Sequence, residues 1–306
     1  MTRTIRYVRL FYYCILYDSK AIKLRQCERG IAIKTLYMSD MDGTLLNNDG
    51  AVSQKSRETI NRLVKRGMLF SVATARSLMS VAEILENVDL SAPAVLMNGV
   101  FIYDFSKKKA VKYYEISNNQ LKSIIGIFEK HNKSPFLFLF GDDGLLYESY
   151  TDLKLKIHKD FYEARKKMFD GRFKKVEKLA APPRQHAVFI SLSDTYEDLK
   201  PIYEQVVKID GITASFYADT YTEYWFLEVY NAQASKANGA EFVKNYVGAD
   251  KIIAFGDNRN DIILFSYADE KYAVENAVDE LKVCATSVIN SNENDGVADF
   301  LEQNFD

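Results

Sequence analysis

The chain has 306 residues, 47% of them hydrophobic and 27% charged, with Lys+Arg 40 against Asp+Glu 42 and a formal net charge of −2. This is ordinary globular composition, long enough for about two domains, and it argues against a disordered chain. The near-neutral balance leaves no global basic footprint for nucleic acid, no apolar run is long enough to span a membrane, and three cysteines cannot build a disulfide framework. A reduced, cytoplasmic setting fits that cysteine usage.

The first 34 residues stand apart. Arg3, Arg6 and Arg9 precede a short aromatic-rich apolar run, Leu10 to Tyr17, and charge returns at Asp18 and Lys20. The pattern has the first two parts of a signal peptide, but the run is short and no small-x-small cleavage site follows. It therefore reads as an extension, or as a start assigned too far upstream. The folded unit is expected to begin near Lys34, and deleting residues 1–33 should leave activity intact.

From there the elements alternate. Thr35 to Ser39 reads as a buried strand that runs into Asp40-Met-Asp-Gly-Thr. Ser53 is placed to cap a helix through Arg66, with Ile60, Leu63 and Val64 on one face. Met68 to Ala73 is a second strand ending at Thr74, Ser77 to Asn87 a second helix, and Ala94 to Met97 a third strand ending in Asn98-Gly99. Strands alternating with helices predict a parallel sheet with crossover helices.

The rhythm then changes. A hairpin is predicted around Lys107–Lys109, and the capping box Ser117-Asn-Asn-Gln120 opens a helix to His131. Strands follow at Phe136–Phe140 and Leu145–Tyr150, across a Gly141-Asp-Asp-Gly144 turn, and then at Ala187–Leu192, Ile212–Tyr217 and Tyr224–Val229. A charged helical stretch before Pro182-Pro183 and a helix at Tyr196–Lys208 complete an α+β block over residues 102–230. The parallel pattern resumes with a helix at Ser235–Tyr246, a strand at Lys251–Phe255, and a further helix, strand and helix. The expected architecture is α/β: a Rossmann-like parallel core over residues 35–101 and 231–306, with an inserted α+β cap.

Chemistry concentrates where core strands end, which is where open α/β sheets bind ligands. Asp40 and Asp42 flank one residue, and two acids that close repel unless a cation or a proton intervenes. Gly43 allows a tight turn whose N–H groups can point at an anion. Capped turns use the same residue types, so this pair alone leaves both readings open. Gly256-Asp257-Asn258-Arg259-Asn260-Asp261 is a second acidic cluster after a strand. Its hard oxygens suit Mg²⁺, and it lacks the acidic ladder of an EF-hand. Thr74 offers a hydroxyl at the same edge, or a helix cap. Lys236 sits at a helix start, where the helix dipole disfavours a cation; an anionic partner explains it, although surface placement does too. His131, His158 and His186 are isolated, which argues against zinc or a histidine-based triad.

Taken in order, Asp40-Met-Asp42-Gly-Thr, Thr74, Lys236 and Gly256-Asp257 through Asn260-Asp261 resemble the four signatures of the haloacid dehalogenase superfamily. The insertion, Asn98-Gly99, Ala273-Val-Glu-Asn-Ala277 and Asn292-Glu-Asn-Asp-Gly-Val-Ala298 resemble its Cof-like branch. The resemblance implies a Mg²⁺-dependent phosphatase acting on small phosphorylated metabolites. Asp40 would be the nucleophile and Asp42 the acid/base. Asp40, the Asp42 carbonyl oxygen and Asp257 would hold the metal. Lys236, Thr74, Asn260 and the Gly43 backbone would meet the phosphoryl group, and Asp261 would orient Lys236 or the metal shell. A phosphomutase, or a non-catalytic metabolite-binding protein on the same fold, are the alternatives. One departure is Ala237, where the family usually has glycine after the lysine.

Overall fold

The computed structural model describes residues 33–305 except 168, 220 and 221. The arginine-bearing segment and the Leu10–Tyr17 run lie outside the described residues.

The chain enters on β1 (Thr35–Ser39), and Leu36 to Ser39 are all buried, as expected of a parallel strand covered on both faces. After the Asp40 turn comes α1 (Gln54–Lys65), whose first turn is capped by Ser53 accepting the Ser56 N–H at 2.9 Å. β2 (Leu69–Val72), α2 (Leu78–Ile84) and β3 (Ala94–Leu96) follow. α2 ends earlier than expected, because the chain tightens into a turn in which Val88 N–H reaches Leu85 O at 3.0 Å. β4 (Phe101–Asp104) and β5 (Lys109–Tyr113) form the anticipated hairpin, which pairs with β3 and not with the inserted sheet.

The insertion carries α3 (Asn118–Lys130), β6 (Phe136–Gly141), β7 (Leu146–Tyr150), α4 (Lys156–Arg165), β8 (Phe173–Lys175), β9 (Gln185–Asp194), α5 (Tyr196–Val206), β10 (Ile212–Ala218) and β11 (Trp225–Asn231). Its strands order as β10-β11-β9-β6-β7-β8, antiparallel except for β7 with β8. Period-two alternation splits β6. Leu137 and Leu139 pack with Ile124, Phe128, Leu199 and Ile202 from α3 and α5, while Phe136, Phe138 and Phe140 point the other way and join the core cluster. Phe140 meets Phe101 of the hairpin at a ring-centroid distance of 5.1 Å, which ties cap to core.

The core closes with α6 (Lys236–Val247), β12 (Lys251–Gly256), α7 (Ile262–Tyr267), β13 (Glu270–Val274), α8 (Asp279–Cys284), β14 (Ser287–Ile289) and α9 (Gly296–Asn304). The order β14-β13-β12-β1-β2 is parallel throughout, and an Ala73–Val95 bridge sets β3 beside β2. The fold is therefore the expected α/β one, with β1, β2 and β12 ending at a shared edge. Among the described residues, no helix is long and apolar enough to cross a membrane.

Candidate active site

Asp40 follows β1 directly, and its N–H still donates to Phe255 O of β12 at 3.0 Å, so the ladder fixes its backbone. The residue is only 4% exposed. Lys236 opens α6 behind the Ser235 cap and is 1% exposed; its Nζ lies 2.7 Å from Asp40 Oδ1 and 2.7 Å from Asp261 Oδ1. A buried ammonium between two carboxylates accounts for a lysine at a helix start. Asp261 uses its second oxygen to accept the N–H groups of Asp257 and Asn258, each at 3.1 Å. Its lone pairs are thereby spent on holding Lys236 and the loop after β12.

Asp257 presents its carboxylate beside them, accepting the Thr44 hydroxyl at 3.0 Å. Carboxylate oxygens of Asp40, Asp257 and Asp261 lie within 4.8 Å of one another. Burial, then the Asp261 charge, pushes the Asp40 carboxyl well above the ordinary range, while Lys236 pulls it back. The same two causes raise Asp257 to about 6. A cluster of acids destabilised in this way is the electrostatic mark of a cation site.

Gly43 is required by both backbone and space. Its φ is +70°, and an added Cβ would lie 2.5 Å from Asp257 Oδ2. Gly43→Ala is expected to displace that carboxylate, cost about 1–3 kcal/mol of stability through strain, and lower turnover at least about tenfold. Urea unfolding and initial rates check both; an alanine variant with native rates would contradict it. Gly99, at φ +97°, lies so close to Ser235 that a Cβ would meet its carbonyl oxygen at 2.3 Å. The Asn98-Gly99 turn thus abuts the cap of α6 and sets where Lys236 enters.

The C-terminal motifs staple the loop after Asp40. Asn276 Nδ2 donates to Gly43 O at 2.7 Å, Asn276 Oδ1 accepts the Asn292 N–H at 3.1 Å, and Asn292 Nδ2 donates to Leu46 O at 2.9 Å. Asp295 accepts hydroxyls from Ser53 and Ser56.

Asp42 is placed differently from Asp40. Its side chain is 57% exposed and is clasped by Arg76, with Nε at 2.8 Å and Nη2 at 2.6 Å from its two oxygens. Arg76 was not singled out in the sequence; its position two residues past Thr74, at the same sheet edge, was the available signal. Thr74 is buried, and its hydroxyl accepts the Arg76 N–H at 3.1 Å. Asn260 stands exposed at the rim of the loop after β12. The histidines lie elsewhere. His158 is buried in the cap against Ser193 O at 2.7 Å, and His186 bridges Glu115 and Asp142.

The profile of the haloacid dehalogenase-like hydrolase family matches residues 37–301. The chain is 27% identical over 283 residues to the 5-amino-6-(5-phospho-D-ribitylamino)uracil phosphatase YwtE of Bacillus subtilis (strain 168), covering 86% of this chain and 96% of that protein. It is 24% identical over 281 residues to the pyridoxal phosphate phosphatase YbhA of Escherichia coli (strain K12), covering 86% and 95%. Among solved structures, a haloacid dehalogenase-like hydrolase from Bacteroides thetaiotaomicron superimposes with a TM-score of 0.70 at 19% identity, over 89% of this chain and 99% of that one, a likeness of fold.

Proposed function

The chain belongs to the haloacid dehalogenase-like hydrolases, and from that membership we propose a Mg²⁺-dependent phosphomonoester hydrolase that forms an aspartyl-phosphate on Asp40. One observation carries the reading: a buried carboxylate at a strand end, 2.7 Å from a buried ammonium and grouped with two further acids. The two relatives described above are named for a ribitylaminouracil phosphate and for pyridoxal phosphate. Small phosphorylated metabolites are accordingly the substrate class proposed here.

Asp40 attacks phosphorus, and the P–O bond to the leaving alcohol breaks as the new one forms, which splits one hard displacement into two. Asp42, once released from the Arg76 clasp and protonated, gives that proton to the departing oxygen; it then takes one from the water that cleaves the aspartyl-phosphate, regenerating Asp40 and releasing phosphate. Arg76 orients the Asp42 carboxylate at the cleft wall. Lys236, locked by Asp261, keeps positive charge beside the nucleophile. Thr74, the Gly43 backbone and Asn260 meet phosphoryl oxygens.

The donor set fits Mg²⁺, being all hard oxygen and crowded enough that its acids resist ionisation together. Asp40, the Asp42 carbonyl oxygen and Asp257 would hold it. Bound there, the ion supplies positive charge that offsets the anionic nucleophile and phosphoryl group. Chelation with EDTA is expected to lower phosphate release at least about 100-fold, with recovery on adding Mg²⁺. Undiminished turnover in thoroughly chelated buffer would remove the metal from the reading.

A further inference from the structure

Resting on the phosphatase reading above, we propose that the leaving group carries a planar nitrogen heterocycle, read by Arg165 and Glu228 over a floor of cap aromatic rings. A cavity of about 370 Å³ opens between the catalytic edge and the inserted sheet, with Asp42 and Arg76 on its core wall. That volume is typical of small-molecule sites. Because Asp42 would protonate the departing oxygen, the alcohol part of the substrate extends from there toward the cap.

Register builds the cap wall. Phe138 opposes Phe189 across β6 and β9, and Tyr217 opposes Phe226 across β10 and β11, so each pair shares one face of the sheet. Phe138 and Phe189 meet edge-on with centroids 5.5 Å apart, while Tyr217 and Phe226 stack at 5.7 Å and 19°. All four rings line the cavity; Phe138 and Phe189 are buried, with Phe189 already stacked on Tyr230, so the ring surface open to a ligand is that of Tyr217 and Phe226. Such a floor rewards another flat ring by stacking.

Four polar residues, Arg165, Ser191, Asp219 and Glu228, interrupt the cap wall, and Glu228 and Arg165 are the two placed to read a ring. Glu228 accepts the Tyr217 hydroxyl at 3.0 Å through one oxygen, and its other oxygen has no hydrogen-bond partner among the described residues, leaving it for a ring N–H. Burial lifts this carboxyl to about 7, so near neutral pH it can also donate. Arg165 closes α4 with its guanidinium 3.7 Å from the centre of the Phe161 ring, and among the described residues that guanidinium donates no hydrogen bond. Behind it, Glu148 is fully buried and neither of its oxygens has a partner; Arg165 is the group whose charge favours its ionised form. The guanidinium is thus held by a ring face and a field, leaving its N–H donors for a carbonyl or ring nitrogen. A heterocycle with one donor edge and one acceptor edge uses Glu228 and Arg165 together and adds π-stacking that a saturated sugar ring cannot supply.

Initial rates of phosphate release with Mg²⁺ test this, using pyridoxal 5′-phosphate and flavin mononucleotide as heterocycle probes and glucose 6-phosphate and glycerol 3-phosphate as polyol probes. The kcat/KM of at least one heterocycle probe is expected to exceed both polyols tenfold or more. Arg165→Met and Glu228→Gln should each reduce that ratio at least fivefold; if the arginine variant misfolds, the glutamine variant carries the test. Polyols turned over as well as heterocycles would overturn the inference, as would a ratio unmoved by the variants. Absence of phosphate release from every probe, acetyl phosphate included, would instead end the underlying phosphatase reading.

Discussion

Asp40→Asn is expected to lower phosphate release at least about 10³-fold while making the metal-free protein more stable. The two effects share a cause. The carboxylate proposed to attack phosphorus is buried beside Asp261 and Asp257, with Lys236 as the single buried ammonium among the described residues. An amide keeps the shape and still accepts from Lys236 Nζ, but it cannot attack and it removes one of the repelling charges. Folding raises the Asp40 carboxyl from its ordinary value of 3.8 to about 8, so the variant's advantage is absent below about pH 4, grows as pH climbs between those values and is full only above about pH 8. In EDTA at pH 7.5, about 1–2 kcal/mol would appear as a rise in Tm of a few degrees for a chain of this size. Turnover within tenfold of the parent would end the nucleophile assignment, and a lowered Tm would contradict the account of crowded acids.

What the sequence showed and what it hid divides along locality. The strand into Asp40, the strand into Asp257, and the Ser53 and Ser117 caps are each written in a few consecutive residues, and each is found in place. β8 and β14 escaped because they are three residues long and mostly exposed, whereas the equally short β3 is an unbroken buried apolar run. The Arg76 clasp on Asp42 depends on where two loops meet, 34 positions apart in the chain. Asn276 and Asn292 were visible as motif letters, but their work as staples on Gly43 and Leu46 appears only once the termini of the core are brought together. The cap is the extreme case. Strand order β10-β11-β9-β6-β7-β8 decides that Glu228, Phe138 and Phe189 look onto one cavity, and no local pattern encodes that order.

Lys236→Met should be the most damaging change to the fold itself. The ammonium is 1% exposed and bonded at 2.7 Å to both Asp40 and Asp261. Methionine fills similar volume but leaves both carboxylates buried without their cation. Breaking a buried pair from one side costs about 3–5 kcal/mol, because the surviving charge keeps its desolvation penalty and loses its compensation. Lys236→Arg retains the charge yet forces a larger planar fork into a closed site, so it is expected to lose about 1–3 kcal/mol by overpacking. The methionine variant also carries a pH signature. Without the lysine, the acids that burial already raises in the parent rise further, with Asp257 starting from about 6. Ionising them is what destabilises the variant, so its deficit is greatest at pH 8 and shrinks as pH falls through those raised values toward 5. Guanidinium unfolding at both pH values in EDTA measures it, and added Mg²⁺ should recover part of the loss at pH 8 by standing in for the missing charge. A deficit below about 1 kcal/mol at pH 8, or one equal at both pH values, would show that Lys236 does not neutralise the buried acids.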